Sequence, residues 1–185
     1  MKDNFEQYDS SYYLFNACES GNEAAVQFLI EHGAELTIKD KYNRIALDWA
    51  CESGNLHLVK YLLHLGANIN NENNFGVTHI FNACYSGNLN LVKYLVEHGL
   101  DINKKNNDGM TPLFFACFYG HINVVKYLIE LGTNINIEDK VGYTPLFYAC
   151  ENGHEDIVKY LVEHGADISK KILYWKYRVR GSLLE

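Results

Sequence analysis

The chain has 185 residues, of which 48% are hydrophobic, and this composition excludes a disordered tail because it can form a substantial core. The formal net charge is −7, and residues 1–169 carry 11 Lys and Arg against 22 Asp and Glu. An acidic body of this kind repels phosphate backbones, so we do not expect nucleic acid as the main ligand.

Signals for secretion or membrane insertion are missing from the sequence. The N-terminal residues do not show a basic stretch followed by an apolar core, and no segment approaches the ~20 apolar residues that span a bilayer. No Asn-x-Ser/Thr sequon occurs. We therefore expect a soluble intracellular protein in the cytoplasm, with the nucleus as an open alternative and no membrane partner.

A 33-residue repeat organises the chain, and its clearest copies are residues 108–117 and 141–150. Two glycine columns, a leucine column and a valine column recur in every unit, as in Gly54, Gly66, Leu62 and Val59 of the second unit. Such periodicity predicts a solenoid whose units bury their apolar faces against each other. The predicted units cover about residues 7–39, 40–72, 73–105, 106–138 and 139–171.

The first three units depart from the pattern of the last two. In the first unit, Ser10, Tyr12 and Tyr13 replace the glycine and the Thr-Pro pair, which suits a terminal layer. The second unit has Ile45-Ala46 and the third has Thr78-His79 where Thr-Pro is expected. We predict that the first helices of these two units are capped less firmly.

The fourth unit gives the clearest prediction of local structure. Thr111 suits an N-cap and Pro112 suits the first turn, so a short helix should begin there and end before Gly120. Residues 121–131 show the apolar periodicity of a second, longer helix. Gly132 then stands where a helix takes a left-handed C-terminal cap.

The segment that follows, residues 134–142, is polar and rich in turn formers, which predicts a hairpin-like loop. Two antiparallel helices and a loop every 33 residues, with Thr-Pro-Leu-x-x-Ala and a Gly-His or Gly-Asn step, resemble the ankyrin repeat. The resemblance implies an all-α ankyrin-repeat solenoid of helix-turn-helix units with projecting β-hairpin-like loops. It covers about residues 7–171 as five consecutive repeats, within an ankyrin-repeat domain of residues 1–171, and implies non-catalytic binding of proteins.

After Lys171 the repeat pattern stops. Residues 172–180 carry three aromatic residues and alternate apolar with basic positions, which favours a C-terminal cap or tail over residues 172–185. A basic-aromatic docking segment is the alternative. Residues 181–185 resemble a cloning remnant and carry no functional argument.

Five cysteines recur at intervals of 33 residues, namely Cys18, Cys51, Cys84, Cys117 and Cys150. Successive helical layers lie about 8–10 Å apart, too far for disulfides, so these thiols should be reduced and buried.

The Cys–His spacings at Cys117 and His121, and at Cys150 and His154, follow from the repeat. A His or Asn at that column is expected to hydrogen-bond the backbone where the second helix starts. We expect no enzymatic activity, metal or cofactor.

The predicted binding face comes from the columns that vary between units, because the resemblance implies recognition by loop tips and first helices. Aromatic residues, Met and Arg, the types enriched at hot spots, dominate these columns. The predicted partner-binding residues are Tyr42, Arg44, Trp49, Phe75, Val77, Tyr85, Met110, Phe118, Tyr119, Val141 and Tyr143. Asn82, Phe115 and Tyr148 share these columns, and we expect the last two to pack between units.

Acidic residues Glu52, Asp108 and Glu151 border this face. We therefore expect a monomer that binds a protein or an extended peptide with apolar anchors and a basic rim. Two alternatives stay open: a targeting or regulatory segment of a longer enzyme, channel or effector, and a structural or self-associating solenoid. A small-molecule enzyme has little support, because no catalytic group is left once the repeat is explained.

Overall fold

The computed structural model of the protein describes residues 3–169, with side chains from residue 11 onwards. Within residues 3–169 it contains helices and loops but no strand, apart from one isolated bridge between Glu72 and Thr78. The helices are α1 (Asp3–Glu19), α2 (Glu23–Glu31), α3 (Ala46–Glu52), α4 (Leu56–His64), α5 (His79–Ser86), α6 (Leu89–Glu97), α7 (Pro112–Phe118), α8 (Ile122–Glu130), α9 (Pro145–Glu151) and α10 (Glu155–Glu163).

Consecutive helices form pairs that stack into a curved solenoid, which confirms the predicted all-α class. The first helices, α1, α3, α5, α7 and α9, pack closely against one another in order, whereas the second helices contact each other less. The first helices approach closely because small residues such as Ala50, Cys51, Ala83 and Cys84 are fully buried between them. The stack is therefore concave on the side of the first helices.

The fourth unit folds as its sequence predicts. Pro112 opens α7 in the first turn, and Gly120 and Gly132 adopt φ values of +81° and +86°. Thr111 takes the N-cap position, but its side chain makes no cap hydrogen bond, and its buried Oγ1 has no partner. The preset φ of the proline, rather than the hydroxyl group, therefore starts this helix.

The first unit differs from the others in the length of its first helix. Its first helix α1 has 17 residues and begins at Asp3, so helix occupies the positions that form a loop in later units. Neither Gly nor Pro occurs in this stretch, so nothing interrupts the helix.

Buried polar contacts replace Thr-Pro in the second and third units, where we predicted weaker caps. Asp48 is fully buried, and its Oδ2 accepts a hydrogen bond of 2.8 Å from the N–H of Ile45, the N-cap residue of α3. Thr78 caps α5 without a side-chain bond, but the neighbouring His79 is buried and donates from Nε2 to the carbonyl of Asn68 at 3.1 Å. The helix starts are thus held from inside the stack.

The same carboxylate connects the two units. Asn71 and Asn82 both donate to Asp48 at 3.2 Å, and Nδ1 of His79 lies 3.0 Å from its Oδ1. Asn82 is therefore buried, with 4% of its surface exposed, and does not belong to the varying surface columns where the sequence placed it. The residue type at this repeat position differs between units because only the second and third units share this buried polar cluster.

We predict that Asp48→Ala lowers the free energy of unfolding by about 3 kcal/mol, because it leaves the buried donors of Asn71 and Asn82 and the N–H of Ile45 without their acceptor. Urea unfolding followed by circular dichroism measures this change. Glu97→Ala, at an exposed position in α6, is the control and should shift stability by less than about 0.5 kcal/mol. Equal effects of the two substitutions would contradict the role assigned to Asp48.

Side chains at the start of the second helices also link neighbouring units. Asn22, Asn55 and Asn88 cap their helices through Oδ1 as predicted, and Nδ2 of Asn88 donates to the carbonyl of Gly54 in the preceding unit at 2.7 Å. The histidines differ from the prediction, because both take the N-cap position but neither side chain bonds to its own helix. Nε2 of His121 donates to the Tyr85 carbonyl at 2.7 Å, and Nε2 of His154 donates to the Phe118 carbonyl at 2.9 Å.

Each of these imidazole rings lies against a glycine of the preceding unit. A Cβ atom at Gly87 would overlap the ring of His121, and one at Gly120 would lie 2.6 Å from Cε1 of His154. Gly87 also has a φ of +74°, which disfavours residues with a side chain. The glycine column therefore makes room for the bridge as well as ending the first helix.

We predict that Gly87→Ala lowers the free energy of unfolding by about 2–3 kcal/mol, whereas Gly99→Ala costs about 1 kcal/mol. Both glycines have positive φ, but a Cβ at Gly99 meets nothing within 4 Å. The stability lost in Gly99→Ala therefore measures backbone strain alone. Thermal and urea unfolding of the two variants measures the difference. If both cost the same, the bridge from His121 to Tyr85 adds nothing to stability.

The cysteines are free thiols, and four of the five are buried as predicted. Burial raises the pKa of Cys51, Cys84 and Cys117 well above the usual range of a thiol, so these groups are unreactive. Cys150 is the exception and is exposed. Among residues 3–169, no later helix pair stacks on α9, which leaves this column uncovered there.

Candidate functional site

The first residue of each unit shapes the loop that carries the predicted binding residues. Oδ1 of Asp40, Asn73, Asn106 and Asp139 accepts hydrogen bonds of 2.8–3.1 Å from the backbone N–H groups two and four residues later. The donors are Tyr42, Arg44, Phe75, Val77, Asp108, Met110, Val141 and Tyr143. All but Asp108 belong to the predicted binding set, so a short polar side chain fixes the backbone that presents them.

Neighbouring loops are also joined to each other by backbone hydrogen bonds. The N–H of Asn74 donates to the Tyr42 carbonyl at 2.9 Å, and the N–H of Asn107 donates to the Phe75 carbonyl at 2.9 Å. The N–H of Lys140 donates to Asp108 at 2.8 Å. The loops therefore form one connected row along the edge of the solenoid, and their side chains keep a fixed spacing.

An aromatic ladder lies at the C-terminal ends of the first helices and consists of Tyr85, Phe118, Tyr119 and Tyr148. The ring of Tyr85 is 4.4 Å from that of Tyr119, which is 4.8 Å from Phe118; Phe118 is 6.0 Å from Tyr148. Tyr85, Phe118 and Tyr119 are 42%, 38% and 42% exposed. The ladder thus presents rings from three successive units at one surface.

Two members of the varying columns are partly covered, as the sequence predicts. Tyr148 is half-buried, and its hydroxyl donates to Oδ2 of Asp139 at 2.8 Å. Phe115 is half-buried and meets the ring of Phe81 edge-on at 5.4 Å. Tyr148 is thus the most covered member of the ladder, and Phe115 packs against the third unit.

Five further predicted residues lie in the loops and differ in how exposed they are. Phe75 and Val141 are exposed at the loop tips. Val77, Met110 and Tyr143 are half-buried at the points where the loops join the next helices. Phe75 and Val141 can therefore contact a partner directly, while the other three lie at the edge of such a contact.

The last three predicted residues, Tyr42, Arg44 and Trp49, are half-buried and line a separate cavity of about 840 Å³, here called the N-terminal pocket. The pocket lies between the loop of the second unit and helix α1, which contributes Tyr12 and Phe15. The rings of Phe15 and Trp49 stack at 6.3 Å. The guanidinium of Arg44 lies 3.8 Å from the Trp49 ring and ion-pairs with Asp40 at 2.7 Å.

Sequence reasoning missed Tyr12 and Phe15. It assigned Tyr12 to a terminal layer, whereas 63% of this side chain is exposed beside the pocket. The available signal was the pair Tyr12-Tyr13, which places two aromatic residues where the last two units have Thr-Pro, whereas Phe15 falls in a column that is also Phe in the third to fifth units. These rings become wall residues because α1 continues where a loop would otherwise stand.

Glu52 gives the site an unusual acidic group. Burial is the main cause that raises the pKa of Glu52 to about 7; Arg44 lowers it, and Asp48, Glu19 and Asp40 raise it further. Burial also raises the pKa of Tyr119 and Tyr148, and the bond to Asp139 adds to the shift at Tyr148. The concave face is thus a partly dehydrated surface on which Glu52 changes charge near neutral pH.

We predict that Glu52→Gln raises the free energy of unfolding by about 1–2 kcal/mol at pH 8 and has a smaller effect at pH 5. Because its folded-state pKa is raised, Glu52 favours the folded state below about pH 4.5 and loses this contribution as the pH rises through 7. Urea unfolding at the two pH values measures the difference between variant and parent. Glu97→Gln, at an exposed position of α6, is the control. An equal gain in stability for Glu52→Gln at both pH values would contradict the raised pKa of Glu52.

The side chains suited to metal binding or nucleophilic chemistry were located among the described residues. Among residues 11–169, no cluster of three or more His, Cys, Asp and Glu could hold a metal ion. His121 and His154, each four residues after a cysteine, bond to backbone carbonyls of the preceding unit. No described helix combines the length and apolar character required to cross a bilayer.

Comparison with known proteins identifies the family. The family model described as ankyrin repeats (3 copies) matches residues 2–73, 65–139 and 83–172. A search of curated proteins finds no match. Ankyrin repeats are generally protein–protein interaction modules and are typically non-catalytic. Since the matched ranges span nearly the whole chain and the helix pairs stack as such repeats do, this chain belongs to the ankyrin-repeat family.

Proposed function

We propose that this chain is a non-catalytic recognition module that binds a protein through its concave face. The observation that carries the proposal is the aromatic ladder, in which Tyr85, Phe118 and Tyr119 are exposed and in ring-to-ring contact across units. Large rings in contact lose little further freedom on binding and bury much apolar area. Such a surface favours recognition of another macromolecule over a structural role.

The rim of the ladder supports a particular kind of partner. Glu151 is exposed near its C-terminal end, Asp108 is exposed in the loop row, and Glu52 is half-buried beside it. Their charges would attract a basic rim around the partner's apolar anchors and would mainly raise the association rate. We therefore propose an extended peptide or a protein surface of this composition as the partner of a monomeric module.

The proposed module comprises five repeats over about residues 7–171, one for each helix pair that the structure describes. Backbone hydrogen bonds between the loops of the second to fifth units support one continuous face across these units. The proposed intracellular location is compatible with free, buried cysteines. The predicted C-terminal cap or tail, residues 172–185, lies outside the described residues.

We predict that replacing Tyr85, Phe118 and Tyr119 together by Ala abolishes capture of a partner from a source extract while the circular dichroism spectrum is unchanged. The three rings are exposed, so their removal costs contact area and leaves the core intact. Affinity capture with quantitative mass spectrometry, comparing the parent and the variant, measures the loss.

The matched control replaces Phe28, Leu65 and Leu131 by Ala. These apolar side chains are also exposed, but they lie at the second helices, away from the ladder. Capture by the control should equal that of the parent. Capture by the ladder variant at full strength would contradict the proposed surface, and ladder-dependent light scattering across a concentration series would instead indicate self-association.

A further inference from the structure

The N-terminal pocket differs from the rest of the concave face in its charge. Lys39 and Lys41 are exposed at its lining, and neither has a carboxylate within ion-pair distance among the described residues. Among the described residues that line the pocket, Asp40 is the single carboxylate, and it is already occupied by Arg44 and by the N–H groups of Tyr42 and Arg44. The described lining of the pocket therefore carries a net positive charge on an otherwise acidic protein.

The walls of the pocket select an apolar, planar group. Phe15 and Trp49 stack on one side, Tyr42 and Tyr12 contribute further rings, and Arg44 is held over Trp49. A volume of about 840 Å³ lies within the usual range for a ligand pocket and exceeds what one aromatic side chain fills. The remaining space suits the backbone and the neighbouring residues of a peptide.

The loop row ends at this pocket with an unused backbone donor. In the third, fourth and fifth units, the second residue of each loop donates its N–H to the preceding loop. The equivalent N–H belongs to Lys41, which has no acceptor among the described residues, because helix α1 stands where a preceding loop would be. A peptide carbonyl can accept this bond and extend the row by one strand-like segment.

From these three observations we infer that the N-terminal pocket binds an extended peptide segment in which an aromatic residue is flanked by Asp or Glu. The aromatic side chain enters between Phe15, Trp49 and Tyr42. A backbone carbonyl accepts from the N–H of Lys41, and the flanking carboxylates pair with the ammonium groups of Lys39 and Lys41. The inference rests on the proposed function, since the segment would be part of a protein partner, but it assigns a second subsite of opposite charge preference.

The test uses Trp49 as a local reporter. The chain has two tryptophans, so the Trp175→Phe variant leaves Trp49 as the single indole. Its emission is titrated with three eight-residue peptides that differ only at their centre: Glu-Phe-Glu, Lys-Phe-Lys and Glu-Ala-Glu. Anisotropy of the fluorescein-labelled peptides with the unmodified chain gives the same affinities without relying on that substitution.

We expect the Glu-Phe-Glu peptide to change Trp49 emission saturably and to bind at least tenfold more tightly than either of the others. The Lys39→Glu and Lys41→Glu double variant should lose at least tenfold in affinity for it. The matched control, Lys93→Glu with Lys126→Glu, makes the same change in net charge at exposed positions of α6 and α8 and should bind as the parent does.

Three results would overturn the inference: equal affinities for the acidic and basic peptides, no effect of the Lys39 and Lys41 reversal, or phenylacetate binding as tightly as the peptide. The last would make the pocket a small-molecule site. The variant without Tyr85, Phe118 and Tyr119 should bind the short acidic peptide normally. Loss of binding there would place the peptide on the ladder instead, so failure of the pocket and failure of the ladder give different results.

Discussion

The close approach of the first helices is the constraint on which the other features of this protein depend. Ala and Cys at adjacent buried columns, such as Ala83-Cys84 and Ala116-Cys117, leave room for the neighbouring helix. The loops that precede these helices are thereby brought within hydrogen-bonding distance of each other, as in the 2.9 Å bond from Asn107 to Phe75. The same spacing puts the rings of Tyr85 and Tyr119, which lie 34 residues apart, 4.4 Å from each other. A concave surface with contacting rings is thus a direct consequence of small side chains in the core.

Polar bridges between units then fix the relative positions of parts that apolar packing alone would leave free. Apolar contacts set a distance but hardly a direction, whereas a hydrogen bond is directional. His121 and His154 bond to the carbonyls of Tyr85 and Phe118, the residues that begin the aromatic ladder in their units. The same two hydrogen bonds therefore contribute to the stability of the stack and fix the position of the candidate binding residues.

The fold was largely predictable from the sequence, because each unit repeats the same local signals. Thr111, Pro112, Gly120 and Gly132 mark the limits of two helices by their backbone preferences, and these limits are found in the structure. Helix α1 was not predictable by the same argument, since a repeat-based reading assumes that each unit follows the register of its neighbours. The residues that break the pattern there, including Tyr12 and Tyr13, have no equivalent in the other units.

The repeat positions that form the candidate site could be predicted from the sequence. The contacts that their side chains make with neighbouring units could not. Variation between units correctly pointed to Tyr85 and Phe118 as exposed residues, because core columns are constrained in size and surface columns are not. The same criterion misplaced Asn82, which varies because it bonds to the buried carboxylate of Asp48 in the preceding unit. A contact between residues 34 positions apart depends on which side chains face each other after stacking, and a single sequence does not contain that information.

Charge differs between the two ends of the concave face. Acidic groups lie near the ladder at Glu151 and in the loop row at Asp108, whereas Lys39 and Lys41 lie at the N-terminal pocket. A single extended chain that contacts both regions in one orientation places like charges together if it binds in reverse, and like charges in a partly dehydrated groove repel each other strongly. The loop row also ends here, because the N–H of Lys41, at the pocket end, has no acceptor in the part of the chain that the structure describes. If both proposed subsites bind one chain, charge therefore favours the orientation that puts the acidic end of that chain at the first two units and its basic end towards the fifth.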